Sequence, residues 1–152
     1  MAQQGTTVSP DAGVVAKNFS LKVDGIGEIG FTEISGMTSE VDVAEIKQNK
    51  DGKYVLDKVA GAAKPPTLTI KRPKDSSMAL WTWHKAAIDG DMKGARKGGS
   101  ITLNDTDTKK VAMWKFENAW CSKLTVSSVG AGKNEVVMEE ATIVMTHFSR
   151  ES

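Results

Sequence analysis

From Phe19 to Asp24 apolar and polar residues alternate strictly, Phe-Ser-Leu-Lys-Val-Asp, the signature of a strand with one buried face. Asp24-Gly25 supplies a turn, and Ile29-Gly-Phe-Thr-Glu33 predicts the returning strand. Ser35-Gly36 predicts a kink or bulge before a third strand, Met37 to Ile46, in which Met37, Val41 and Val43 share one parity. The phase slips at Ala44-Glu45-Ile46, where that strand is expected to leave the core. Residues 47–66 are polar, glycine-rich and closed by two prolines, with a type I′ signal at Asp51-Gly52, and predict a protruding hairpin or long loop. Thr67 to Arg72 alternates cleanly again with Leu68 and Ile70 inward, and Pro73 ends it.

The period then changes. Asp75 or Ser76 is placed to cap a helix over about residues 77–89, stopped by Asp89-Gly90. Its apolar residues Leu80, Trp81, Trp83, Ala87 and Ile88 surround much of the axis, which predicts a helix gripped on two sides. After a basic, glycine-rich loop come a hairpin, Ile101–Leu103 and Val111–Glu117 joined by a turn at Asn104–Asp107, a short strand Lys123–Val126, and a long final strand from about Val136 to Phe148. Eight or nine strands and one helix predict a mainly β fold, a small antiparallel barrel or sandwich with the helix packed against it. Residues 1–16 lack periodicity and predict a flexible arm; residues 17–152 predict a single domain.

Composition narrows the function classes. Twenty Lys plus Arg against nineteen Asp plus Glu leave a formal charge of +1, which gives no field for holding a polyanion, so no specific nucleic-acid recognition is expected. A lone cysteine, Cys121, and two histidines offer neither an internal disulfide nor soft ligands for zinc. The first residues lack a basic leader and an apolar core, and no apolar run approaches a membrane span. Cytoplasmic assembly without direct membrane insertion is the expectation.

The candidate motifs dissolve on inspection. The run Gly94-Ala-Arg-Lys-Gly-Gly-Ser100 has Ser100 where a phosphate-binding loop needs lysine. Asp105-Thr-Asp107 lacks the turn glycine of a calcium loop, and Phe116 stands where its bidentate glutamate belongs. His84 and His147 have no Cys or carboxylate at a ligand or triad spacing, and adjacent Glu139 and Glu140 in a strand point to opposite faces. No catalytic residue, cofactor or metal site is expected. Four tryptophans among nine aromatics, Trp81, Trp83, Trp114 and Trp120, predict a core cluster clamping the helix to the sheet.

An ordered set of segments carries a resemblance. Phe19-Ser-Leu-Lys-Val-Asp-Gly25 is followed by Phe31-Thr-Glu33-Ile-Ser35-Gly36-Met37 and Glu40, by Leu68-Thr-Ile-Lys71-Arg72, by Trp81-Thr-Trp83-His84, and by Trp114-Lys-Phe116-Glu-Asn118-Ala119-Trp120. In order and spacing, from about residue 19 to residue 148, the chain resembles the tail tube proteins of contractile phage tails and extracellular contractile injection systems. It is also similar to the haemolysin-coregulated protein of type VI secretion. Cys121 and Pro73 depart from the family's usual proline and glycine. The resemblance implies a non-enzymatic subunit of hexameric rings stacked into a tube, with a sheath protein, baseplate or tube-initiator proteins, and cargo in the lumen as partners. A tube-initiator or baseplate-proximal ring, or a secreted β-barrel carrier or effector, are the alternatives. Within such a tube, Lys50, Asp51, Lys53, Asp57 and Lys58 of the 47–66 segment are the candidate inter-subunit contacts.

Overall fold

A computed structural model describes residues 18–74, 76–104, 110–127 and 137–152. The expected N-terminal arm, the Asp75 cap, residues 105–107 of the expected turn and the expected start of the final strand at Val136 lie outside them. The elements are β1 (Asn18–Val23), β2 (Gly27–Phe31), β3 (Glu33–Ser35), β4 (Glu40–Lys50), β5 (Lys53–Lys64), β6 (Thr67–Pro73), α1 (Ala79–Ile88), α2 (Met92–Ala95), β7 (Lys97–Asn104), β8 (Lys110–Val126), β9 (Met138–Val144) and β10 (His147–Arg150). The fold is mainly β, antiparallel throughout.

Eight strands follow the order β2-β1-β7-β8-β9-β6-β3, with β10 also on β8. The path is open, so the expected barrel does not close. Its end strands are consecutive in sequence and meet at Thr32, whose N–H donates to the Lys71 carbonyl at 2.8 Å. The two halves of the sheet share β8. Its first half pairs β7 on one side and β10 on the other, while Trp120 to Val126 pairs β9. Sequence reading split this strand in two and fused β9 with β10. The reason is a double corner: Asn118 adopts φ +52 in mid-strand, and the Thr146 N–H, between β9 and β10, reaches the Glu117 carbonyl.

The core lies between the curled halves. Leu21, Val23, Ile29 and Phe31 meet Leu68, Ile70, Ile101, Phe116, Ala141 and Ile143, all buried. Leu21, Val23, Leu68 and Ile70 among them are the positions that the alternation turns to one face. Gly99 permits the close approach of β1 to β7, because a Cβ there would collide with the Lys22 carbonyl and the Phe116 ring.

Helix α1 covers the open side of this core through Leu80 and Trp83. It starts later than expected, with Met78 at the cap position and no side-chain cap bond, so Ser76 is not the cap. Trp81 and Ile88 remain exposed, so the helix is held on one face and not on two. The basic loop contributes the second helix, α2, which the sequence did not announce; Asp91 caps it by accepting from the Gly94 N–H at 3.0 Å.

Candidate assembly surface

Between β3 and β6 the chain leaves the body as a hairpin from Glu40 to Lys64. Strands β4 and β5, of eleven and twelve residues, pair only with each other, and every residue in both is exposed. The turn is the one the sequence signals: Asp51 at φ +55 and Gly52 at φ +75 satisfy the two positive angles of type I′. The hairpin begins at Glu40, well before the expected residue 47, and Val41 and Val43 are exposed instead of continuing the core parity of the third strand.

Register divides the side chains between two faces. Val43, Ala60, Leu56 and Tyr54 share one face with Glu45, Lys58, Lys47 and Asn49; Ala44, Ile46, Val59 and Val55 share the other with Asp57, Gln48, Lys50 and Lys53. Both faces are therefore partly apolar, and neither is covered: Tyr54 is 85% exposed, Val43 65% and Leu56 51%. An isolated two-stranded hairpin is marginal in water, and a contiguous apolar surface of this kind marks an interaction site. Near the root, Lys64 bonds Asp42 at 2.7 Å. The hydrogen bond and charge of Asp42, with the charge of Glu40, raise the Lys64 ammonium above its ordinary pKa.

The structure gathers Lys50, Asp51, Lys53, Asp57 and Lys58 on this hairpin, all exposed. Sequence reading missed their apolar neighbours, although Tyr54-Val55-Leu56, three consecutive apolar residues in a polar segment, carried the signal. Apart from Glu40, which opens β4, the residues of the ordered motif set lie in the body. Phe31 stacks on Phe19 at 5.6 Å, and Phe116 is buried. Glu33 and Ser35 are exposed on β3, opposite Lys71 and Thr69. Gly36 turns at φ +84 against the Thr67 carbonyl.

Trp83 is fully buried and donates its indole N–H to the Ala95 carbonyl at 2.6 Å, tying α1 to α2. His84 Nδ1 lies 2.9 Å from the Cys121 carbonyl; a carbonyl only accepts, so this nitrogen carries the proton. Asn118 donates to Thr146 Oγ1 at 3.0 Å. The expected tryptophan cluster is not one: Trp81 is exposed, Trp120 is half-buried, and half-buried Trp114 lies under the Arg150 guanidinium at 5.9 Å.

Glu139 is buried with Lys74 at 3.0 Å, whereas Glu140 approaches Lys71 at 3.9 Å, the opposite faces expected of neighbours in a strand. Burial pushes the Cys121 thiol up to about 11, which makes it a poor nucleophile. Among the described residues no group of His, Cys, Asp or Glu could hold a metal ion, and no helix is long and apolar enough to cross a membrane. A curled antiparallel sheet carrying an uncovered, two-faced hairpin is an assembly module.

The comparisons place that module. The family model of the T4-like virus tail tube protein gp19 matches residues 15–149. The chain belongs to that family and is a structural tail tube subunit. No curated protein sequence matches it. A chain of the sheath–tube complex of the extracellular contractile injection system PVC, in its extended state, superimposes with a TM-score of 0.73 at 20% identity, covering 94% of each chain. For a chain of the anti-feeding prophage tube-terminating cap the values are 0.75 and 20%, over 100% of this chain and 99% of that one. Hcp1 from Flavobacterium johnsoniae gives 0.54 and 19%, over 88% and 94%. At these identities the likeness is one of fold.

Proposed function

We propose that copies of this chain close into hexameric rings and that the rings stack into the hollow inner tube of a phage tail or phage tail-like particle. A sheath surrounds the tube, a baseplate or initiator starts it, and cargo passes through its lumen. The reading rests on one observation above the others: a hairpin of more than twenty residues projects with exposed apolar side chains on both faces, uncovered by any of the described residues of its own subunit. A second copy supplies the cover, and a head-to-tail contact repeated around an axis closes a ring. The hairpin contacts both the neighbour in the ring and the next ring, with Lys50, Asp51, Lys53, Asp57 and Lys58 among the contacts. On this reading the role is mechanical and involves no catalysis.

Negative-stain electron microscopy of the purified chain tests this, the expected result being long hollow rods of uniform width. Deleting residues 48–58 is expected to leave a folded monomer that forms no rods; normal rods from the deletion would sink the role given to the hairpin. Likeness to the tube-terminating cap supports a second reading, a ring at the end of the tube. Single rings that never stack at any concentration would favour it.

A further inference from the structure

The hairpin carries its charge unevenly. Its outer part, residues 47–56, holds Lys47, Lys50 and Lys53 against Asp51; the rest holds Glu40, Asp42, Glu45 and Asp57 against Lys58 and Lys64. Three lysines less one aspartate make the tip +2, and four acids less two lysines make the root −2. Side-by-side hairpins pointing the same way would set like on like. End-to-end contact sets the basic tip of one copy against the acidic root of another.

The root also offers a receptacle. Glu40, Val41, Pro65, Pro66, His147 and Phe148 line a groove of about 130 Å³ between the hairpin and β10. Its walls are apolar, from Val41, the two prolines and Phe148, while Glu40, His147, Thr146 and Lys64, the last already paired with Asp42, give it a polar rim. The tip presents the complementary shape in Tyr54, an aromatic ring with a hydroxyl and the most exposed large apolar residue among those described. Eleven residues of extended strand separate tip from root by roughly 35 Å, so a copy cannot fill its own groove.

We propose that the hairpin tip of one copy docks, Tyr54 foremost, into the root groove of a copy in the adjoining ring. The Tyr54 ring lies against Val41, Pro66 and Phe148, its hydroxyl reaches Glu40 or His147, and Lys50 and Lys53 face the acidic root. Knob and groove sit at opposite ends of the same element, so the contact leaves one of each unused at the two ends of any stack. That makes it an open-ended, polymerising contact. The inference rests on the tube reading and adds to it the site that receives the hairpin.

The test uses the full chain. Tyr54→Ala, an exposed substitution whose fold is checked by circular dichroism, is expected to keep rings and lose at least nine-tenths of the rods; rods at wild-type yield would overturn the docking alone. Lys50→Glu with Lys53→Glu should lose rods in the same way, and adding Glu40→Lys should restore them; rescue failing while the rings stay intact would count against the charge pairing. A chain carrying both Asn49→Cys and Thr38→Cys is expected to give a disulfide-linked ladder on oxidation of the rods. Intact rods without the ladder would overturn the proposed contact. Should the wild-type chain form no rods at all, the tube reading itself fails and the docking falls with it.

Discussion

Cys121 shows how burial alone sets the chemistry of a side chain. It is fully buried in the shared strand β8, and its thiol donates weakly to the Lys123 carbonyl at 3.5 Å. Desolvation of the thiolate is the main cause that lifts the pKa to about 11, and the charge of Glu139 adds to it. The unfolded chain releases this proton near 9, the folded one near 11, so between those values the folded state holds more protons. Its stabilising effect is complete below pH 9 and is lost as pH rises through about 11. Urea denaturation of wild type and Cys121→Ala should therefore converge by a measurable amount from pH 9 to 11, and a constant gap would refute the assignment. Sequence reading reached a lone thiol with neither a disulfide partner nor companion metal ligands. It could not reach the hydrogen bond, which depends on the bulge between Cys121 and Lys123.

At the level of elements, the Trp-x-Trp-His run shows what spacing decides and what it leaves open. Residues two apart on a helix point nearly opposite ways, so Trp81 and Trp83 cannot share an environment while only one side of α1 meets the sheet. The structure buries Trp83 and leaves Trp81 43% exposed. Composition alone had placed both in a core cluster, because the number of faces a helix buries is set by what packs on it. Trp83→Phe keeps most of the ring but removes the donor to Ala95, and an unpaired buried carbonyl costs about 1–3 kcal/mol. Trp81→Ala should change monomer stability by no more than about 0.5 kcal/mol. Chemical denaturation of the deletion lacking residues 48–58, which stays monomeric on the tube reading, measures both free of assembly; equal costs would mean that α1 buries both faces. The strands were legible where one face is buried, as in β1 and β6. They were misjudged where a positive φ bends the chain, at Asn118, and where neither face is buried, along β4.

For the whole molecule, the division of labour is between a body that satisfies itself and a hairpin that does not. Polar residues cover the sheet, and among the described residues the exposed large apolar side chains fall on the hairpin, at Met78, Trp81 and Ile88 around α1, and at Val126. This was only half readable in sequence: the Asp51-Gly52 turn announced a hairpin, but alternation says which faces differ, not whether either is covered. The physical consequence is a difference in local stability. In the free subunit every residue of β4 and β5 is exposed and no other described strand pairs with them, and such pairs open far more often than a packed core. Hydrogen exchange should therefore find the amides of residues 40–64 exchanging orders of magnitude faster than those of β7 and β8 in the free subunit. In assembled rods the same amides should be slowed toward the rate of the body, because the neighbouring copies now cover both faces. Slow exchange of the hairpin in the free subunit would mean that it is stable by itself and needs no partner. Unchanged fast exchange in rods would mean that the partner contacts lie elsewhere.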